Sequence, residues 1–167
     1  MIDEELVTSA VRVLDLCRAR ELTIVTAESC TGGLVAAALT EIAGSSDVVE
    51  GGFITYSNEA KQDVLAVPAD VLAEHGAVSA ETAAAMAQGA LAQSDADLAV
   101  AVTGIAGPGG GSAAKPVGLV HFAATSHAGD EILREKRFGD IGRAEVRRQS
   151  VREALALLEE LALRYPP

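Results

Sequence analysis

Hydrophobic residues recur at two spacings along this chain, and the switches between them lay out its elements. In residues 2–20, Leu6, Ala10, Val13, Leu14 and Cys17 fall three or four apart, the period of one buried helical face. Asp3, Glu4 and Glu5 stand at the positive N-terminus of that helix. Residues 22–27 are a short β-branched run and read as a strand. A second helix runs through Leu34, Leu39 and Ile42 to Gly44, with Ser29 or Thr31 available as its cap. Residues 48–56 are the next strand, loosened by Gly51 and Gly52. Ser57 or Asn58 caps a short helix through Leu65, Pro68 opens another helical turn, and Ser79 caps an alanine-rich helix over residues 80–93. Residues 98–103 are apolar almost throughout, as in a strand buried on both faces. Residues 117–126 and 131–138 read as two strands joined by the polar turn His127-Ala128-Gly129-Asp130. Asp140 can cap a last helix to about Arg164, with Val146, Val151, Leu155, Leu158 and Leu161 or Ala162 facing inward. The order α-β-α-β-α-α-β-β-β-α predicts one three-layer α/β/α sandwich over residues 1–167. Its mixed sheet would have a parallel core and a C-terminal antiparallel hairpin.

Composition narrows the function classes. Half the chain is apolar (49%) but only 3% is aromatic, so the core must be built from Ala, Val, Leu and Ile. Twenty-four acidic residues against thirteen basic give a formal charge of -11, the wrong sign for broad contact with nucleic acid. One small anionic ligand held by a local Arg or Lys stays compatible with that charge. Cys17 and Cys30 make neither a disulfide framework nor a metal spacing. Acidic residues directly follow Met1, unlike a secretory leader, and no apolar run reaches transmembrane length. A soluble cytoplasmic protein is expected, with no membrane partner. Alanine-rich helices and the hairpin edge offer apolar surface for a homo-oligomer.

Four clusters could carry chemistry. The first, Ala27-Glu28-Ser29-Cys30-Thr31-Gly32-Gly33, lies where a strand gives way to a helix, the edge at which open α/β sheets bind ligands. Ser29 can be a nucleophile there. Backbone N–H groups around Thr31, Gly32 and Gly33 can hold a phosphate or a developing oxyanion. Plain helix capping by Ser29 or Thr31 is the competing reading, and the segment does not fit the Gly-x-Ser-x-Gly elbow. The second cluster, Tyr56-Ser57-Asn58-Glu59-Ala60-Lys61, ends another strand at the same edge. Lys61 can serve as the base for a serine if burial lowers its pKa, and Tyr56 can relay a proton or orient the pair. Otherwise Lys61 is an ordinary solvated lysine. His75 and His127 fall in turns and His121 inside a strand, so no histidine is marked as the base. Cys30, one position from Ser29, reads as a buried thiol.

The third cluster runs from Thr103 and Gly104 through Ile105, Ala106, Gly107 and Pro108 to Ser112, followed by Lys115-Pro116-Val117-Gly118. It fits neither the Walker nor the dinucleotide glycine pattern. So much glycine after a buried strand suggests close backbone approach to a ligand or a flexible lid. In the fourth, residues 138–148, Arg143 occupies a first helical turn, where the helix dipole disfavours a cation. A ligand phosphate would explain it, as would pairing with Asp140 or Glu145.

Taken together, these segments resemble the C-terminal domain of the competence-damage-inducible CinA family, over nearly the whole chain. The likeness rests on residues 27–33, Tyr56-Ser57-Asn58 with Lys61, Gly76-Ala77-Val78-Ser79, residues 103–108, Lys115-Pro116-Val117-Gly118 and residues 138–148. That domain also occurs as free-standing nicotinamide-nucleotide amidohydrolases. The resemblance implies hydrolysis of the carboxamide of nicotinamide mononucleotide, giving nicotinate mononucleotide and ammonia for NAD recycling. It implies Ser29 as nucleophile, Lys61 and Tyr56 as its assistants, and no metal or organic cofactor. Thr31, Gly32, Gly33, Asn58, Thr103, Gly104, Ala106, Gly107 and Arg143 are then the candidate substrate contacts. A non-catalytic nucleotide-binding module linked to competence or DNA damage is the alternative.

Overall fold

In the computed structural model, which describes residues 2–167, the strands form one sheet of order β2-β1-β3-β4-β5. They are β1 (Ile24–Glu28), β2 (Val49–Ile54), β3 (Leu98–Gly104), β4 (Leu119–Ser126) and β5 (Glu131–Arg137). β1 lies parallel to both β2 and β3, while β4 and β5 add the antiparallel hairpin. β1, β3 and β4 are buried on both faces, which is why they read as apolar runs rather than alternating ones.

Two unlike helical layers cover the sheet. On one face, α1 (Glu4–Ala19), α2 (Leu34–Thr40) and α6 (Arg143–Arg164) bury Leu, Val and Ala side chains against Ile24, Leu98, Val100, Val102 and Phe122. On the other lie α3 (Asn58–Leu65), α4 (Ala69–His75) and α5 (Ala80–Ala92). This second interface is rich in alanine: Ala83, Ala87 and Ala90 of α5 meet Ala27, Ala99, Ala101 and Ala123 of the sheet, with Met86 and Val25 among them. Small side chains bring α5 close to the sheet, and Gly89 brings it close to α3. A Cβ at Gly89 would run into the Leu65 carbonyl at the end of α3.

Three details differ from the sequence expectation. Three helices, not two, separate β2 from β3, because the turn opened by Pro68 extends into the seven residues of α4. Asp140 does not cap the last helix. Gly139 and Gly142, both at positive φ (81 and 93), swing the chain round first, and α6 starts at Arg143 with no side-chain cap. Neither Ser29 nor Thr31 caps α2; Gly33, in the left-handed region, occupies that position, and the donors are met from elsewhere. Ser57 and Ser79 do cap α3 and α5, accepting from Ala60 N and Thr82 N at 3.0 Å each. Among the described residues no helix is long and apolar enough to cross a membrane.

Candidate active site

β1 carries the first half of the site. Its ladder with β3 runs one residue past the strand, Ser29 N donating to Val102 O at 3.0 Å. The chain then reverses in a turn closed by Gly32 N donating to Ser29 O, also at 3.0 Å. Gly32 and Gly33 take φ of 59 and 100 there, a pair of left-handed residues that side chains would oppose. Alternation along β1 sends Ser29 toward the α3 side and Glu28 toward the α2 side. Glu28, fully buried, accepts from Gly33 N at 3.2 Å, Val35 N at 2.9 Å, Ala36 N at 3.0 Å and Thr26 Oγ1 at 3.2 Å. The positive end of α2 is thus occupied by the protein's own carboxylate. The N–H of Gly33 belongs to Glu28 and that of Gly32 to the turn. Of the donors expected to meet an anion, only that of Thr31 is unspent, with that of Cys30 beside it.

β2 and α3 bring the second half. Lys61 lies one helical turn after the Ser57 cap and is completely buried, among the largest fully buried side chains of the described residues. Its Nζ donates to Ser29 Oγ at 3.0 Å, to Thr55 O at 2.8 Å and to Tyr56 O at 3.4 Å. No carboxylate pairs with it among the described residues, and burial pushes its pKa down from the ordinary lysine value. The neutral amine fits the same contacts: two N–H groups meet the two carbonyls, and the lone pair faces the serine hydroxyl. Ser29 itself is 8% exposed, open to a ligand on one side.

The phenol of Tyr56 points elsewhere. The residue is 61% exposed, its OH accepts from Arg143 Nη2 at 3.1 Å, and only its main-chain carbonyl touches Lys61. Arg143 also donates through Nη1 to Gly107 O at 2.9 Å and forms no ion pair with Asp140 or Glu145. Tyr56, Arg143 and Gly107 therefore make a second group, joining the end of β2, the start of α6 and the glycine-rich loop. Asn58 starts α3 in an exposed position, and its carbonyl accepts from the Gln62 side chain. Thr31 is buried, its hydroxyl without a protein partner. The Thr103 hydroxyl is spent on Ala77 O at 2.7 Å, and Ala106 is buried. Gly104 lies so close to β4 that a Cβ would meet Val120 and the Leu119 carbonyl. The glycine-rich loop is clipped at its far end by Lys115 Nζ, which donates to His75 O at 2.5 Å.

Other candidates fall away from Ser29. His127 is exposed; His75 and His121 face Glu81 and Glu135 beyond the Lys115 clip. The Cys30 thiol is buried, which pushes its pKa up to about 11 and leaves it protonated. Two residues inside these segments have a place in the site that the sequence reading missed. Glu28 ends a buried strand, where an acid must find donors. Arg147 stands one turn after Arg143 on α6 and donates to Cys30 O and Thr31 O, both at 3.1 Å. Among the described residues no three His, Cys, Asp or Glu side chains converge as a metal site requires.

Comparison with known proteins bears on this arrangement. The model of the CinA C-terminal domain family matches residues 7–162. The chain belongs to the CinA C-terminal domain family. Among CinA relatives, it is 50% identical over 159 residues to the nicotinamide-nucleotide amidohydrolase PncC of Escherichia coli (strain K12), covering 95% of each chain. It is 54% identical over 147 residues to a CinA-like protein of Synechococcus sp. (strain RCC307), where it spans 87% of this chain but 35% of that longer one. The crystal structure of the competence/damage inducible protein CihA from Agrobacterium tumefaciens superposes with a TM-score of 0.95. That protein is 54% identical, with 96% of this chain and 98% of that one covered. The α/β fold with its mixed five-stranded sheet is the fold of these CinA structures.

Proposed function

We propose that the chain hydrolyses the carboxamide of nicotinamide mononucleotide to nicotinate mononucleotide and ammonia. The observation that carries this reading is the buried contact of 3.0 Å between Lys61 Nζ and Ser29 Oγ. A capping serine needs no such partner, and a solvated lysine would not be enclosed by carbonyls. The choice of substrate follows the relatives named as nicotinamide-nucleotide amidohydrolases.

In this mechanism Lys61 takes the Ser29 proton as Oγ attacks the amide carbon. The resulting oxyanion is met by the unspent N–H groups of Cys30 and Thr31, so that of the donors expected from sequence Thr31 is kept and Cys30 takes the place of Gly32 and Gly33. One such donor is typically worth about 3 kcal/mol. The Lys61 ammonium then delivers its proton to the amide nitrogen, the C–N bond breaks, and ammonia leaves an ester on Ser29. Water, deprotonated by Lys61, attacks that ester and frees the carboxylate and the serine. Tyr56 assists through its carbonyl, which helps hold the amine, while its phenol and Arg143 form a polar wall for the nucleotide. Arg143, without a carboxylate partner, is our candidate for the phosphate. The acid product would re-enter NAD synthesis.

Purified protein incubated with nicotinamide mononucleotide is expected to release ammonia and nicotinate mononucleotide in equal amounts. Ser29→Ala should lower kcat by about 10⁴-fold or more with the fold intact by circular dichroism. Absence of turnover in the unaltered protein defeats the substrate assignment. Turnover surviving Ser29→Ala defeats the mechanism and favours a binding module with a contaminating activity.

A further inference from the structure

The turn after Ser29 is held from behind. Arg147 reaches across from α6 and its guanidinium takes two consecutive carbonyls, Cys30 O through Nε and Thr31 O through Nη2. A trans peptide points its N–H opposite to its C=O. Fixing Cys30 O toward α6 therefore directs the Thr31 N–H away from α6, toward the face of the sheet where Lys61 meets Ser29. The next N–H, of Gly32, is already consumed by Ser29 O, and that of Gly33 by Glu28. Arg147 thus decides the direction of the one donor in residues 31–33 that the fold has not spent.

Its neighbour shows the contrast. Arg148 is engaged by Asp3, Glu5 and Glu145 in an ion network at the start of α1. Arg147 forms no ion pair with a carboxylate among the described residues, and its guanidinium is given to the carbonyls of the turn. A planar fork suits two carbonyls side by side in a way a lysine does not.

We infer that Arg147 is a positioning residue of the reaction: it orients the Thr31 N–H as an oxyanion donor for Ser29. The inference rests on the amide-hydrolysis reading above. The substitution Arg147→Met keeps the stem and removes the fork. Its crystal structure should show the 30–31 and 31–32 peptide planes turned or split. With nicotinamide mononucleotide, kcat should fall about 100-fold while KM stays within about twofold, as for loss of an interaction made only in the transition state. Added guanidinium should restore part of kcat, which a merely structural defect would not allow. Arg152→Met, which removes an exposed partner of Glu5 further along α6, is the control and should leave kcat unchanged. If Arg147→Met does not fold, Arg147→Lys carries the same test with an expected loss of about tenfold. Unmoved peptide planes overturn the inference whatever the activity. So does an unchanged kcat, or a loss confined to KM. If the unaltered protein does not turn over the mononucleotide, the functional reading fails alone, because the peptide planes still decide the orientation.

Discussion

The protein contains the same strand-turn-helix passage twice at one sheet edge, and the two copies end in opposite electrical character. After β2, Ser57 caps α3 from the local sequence, and the carbonyls of Thr55 and Tyr56 are turned inward as acceptors for Lys61. After β1, no serine or threonine caps α2; Glu28 takes three of its backbone N–H groups from within the sheet. That arrangement releases Ser29 from capping and leaves Cys30 and Thr31 as donors. One junction therefore presents oxygen to a cation and the other presents N–H to an anion. A side chain that caps its own helix cannot also be a nucleophile, so the cap at the first junction had to come from another residue.

Breaking the link between the junctions should have the largest effect. Lys61→Met keeps the buried stem and removes the amine, and kcat should drop about 10³-fold in a steady-state assay. In the unaltered protein, kcat should rise with pH as Lys61 loses its proton, at a pH below the ordinary lysine value of 10.5. The same depressed pKa means the unfolded chain binds a proton that the folded chain releases. Stability should therefore climb with pH between the folded Lys61 value and 10.5. Lys61→Met should flatten that climb in denaturant titrations run across the range; an identical climb in both proteins would rule out a neutral buried amine.

Removing the anionic cap at the first junction comes next. Glu28→Gln is isosteric but in either orientation sets an NH2 donor against a backbone N–H, of Gly33 and Val35 or of Ala36. It should cost about 2 kcal/mol of stability, read from the urea midpoint, and lower kcat as the Ser29 turn loosens. The smallest effect belongs to the cap at the second junction. Ser57→Ala should cost about 1 kcal/mol, with kcat nearly unchanged because the neighbouring carbonyls remain in place. Equal losses of kcat in these two variants would erase the distinction between the junctions.

Much of the fold was legible because its signals are local. The Ser57 and Ser79 caps, the apolar runs of β1 and β3, and the polar turn before β5 all lie within a few residues of what they specify. The same locality misled at α2 and α6. A serine before a helix looks like a cap unless an acid five to eight residues upstream already holds the N–H groups, as Glu28 does. Lys61 and Ser29 could be named as a pair, but burial of the lysine depends on α3 being pressed against α5, which no local pattern encodes. Arg147 contacts Cys30 across 117 positions, and Arg143 meets Tyr56 across 87. Such contacts exist only once both sheet faces are covered. The Tyr56 phenol shows the limit from the other side: its place in the motif suggested that it relays a proton or orients the Ser29–Lys61 pair, yet the phenol bonds Arg143.

The absence of a side chain at Gly89 reaches further than α5. α3 rests there backbone on backbone, and α3 is also the rod on which Lys61 is mounted. The gap between helices is thus a spacer for the reaction centre: its width sets how far the amine stands from the hydroxyl. A shift of about one ångström there would take a contact of 3.0 Å out of hydrogen-bond range. Substitutions that thicken this seam would act as catalytic mutations without touching the substrate, and a screen for lost activity should return them alongside the serine and the lysine.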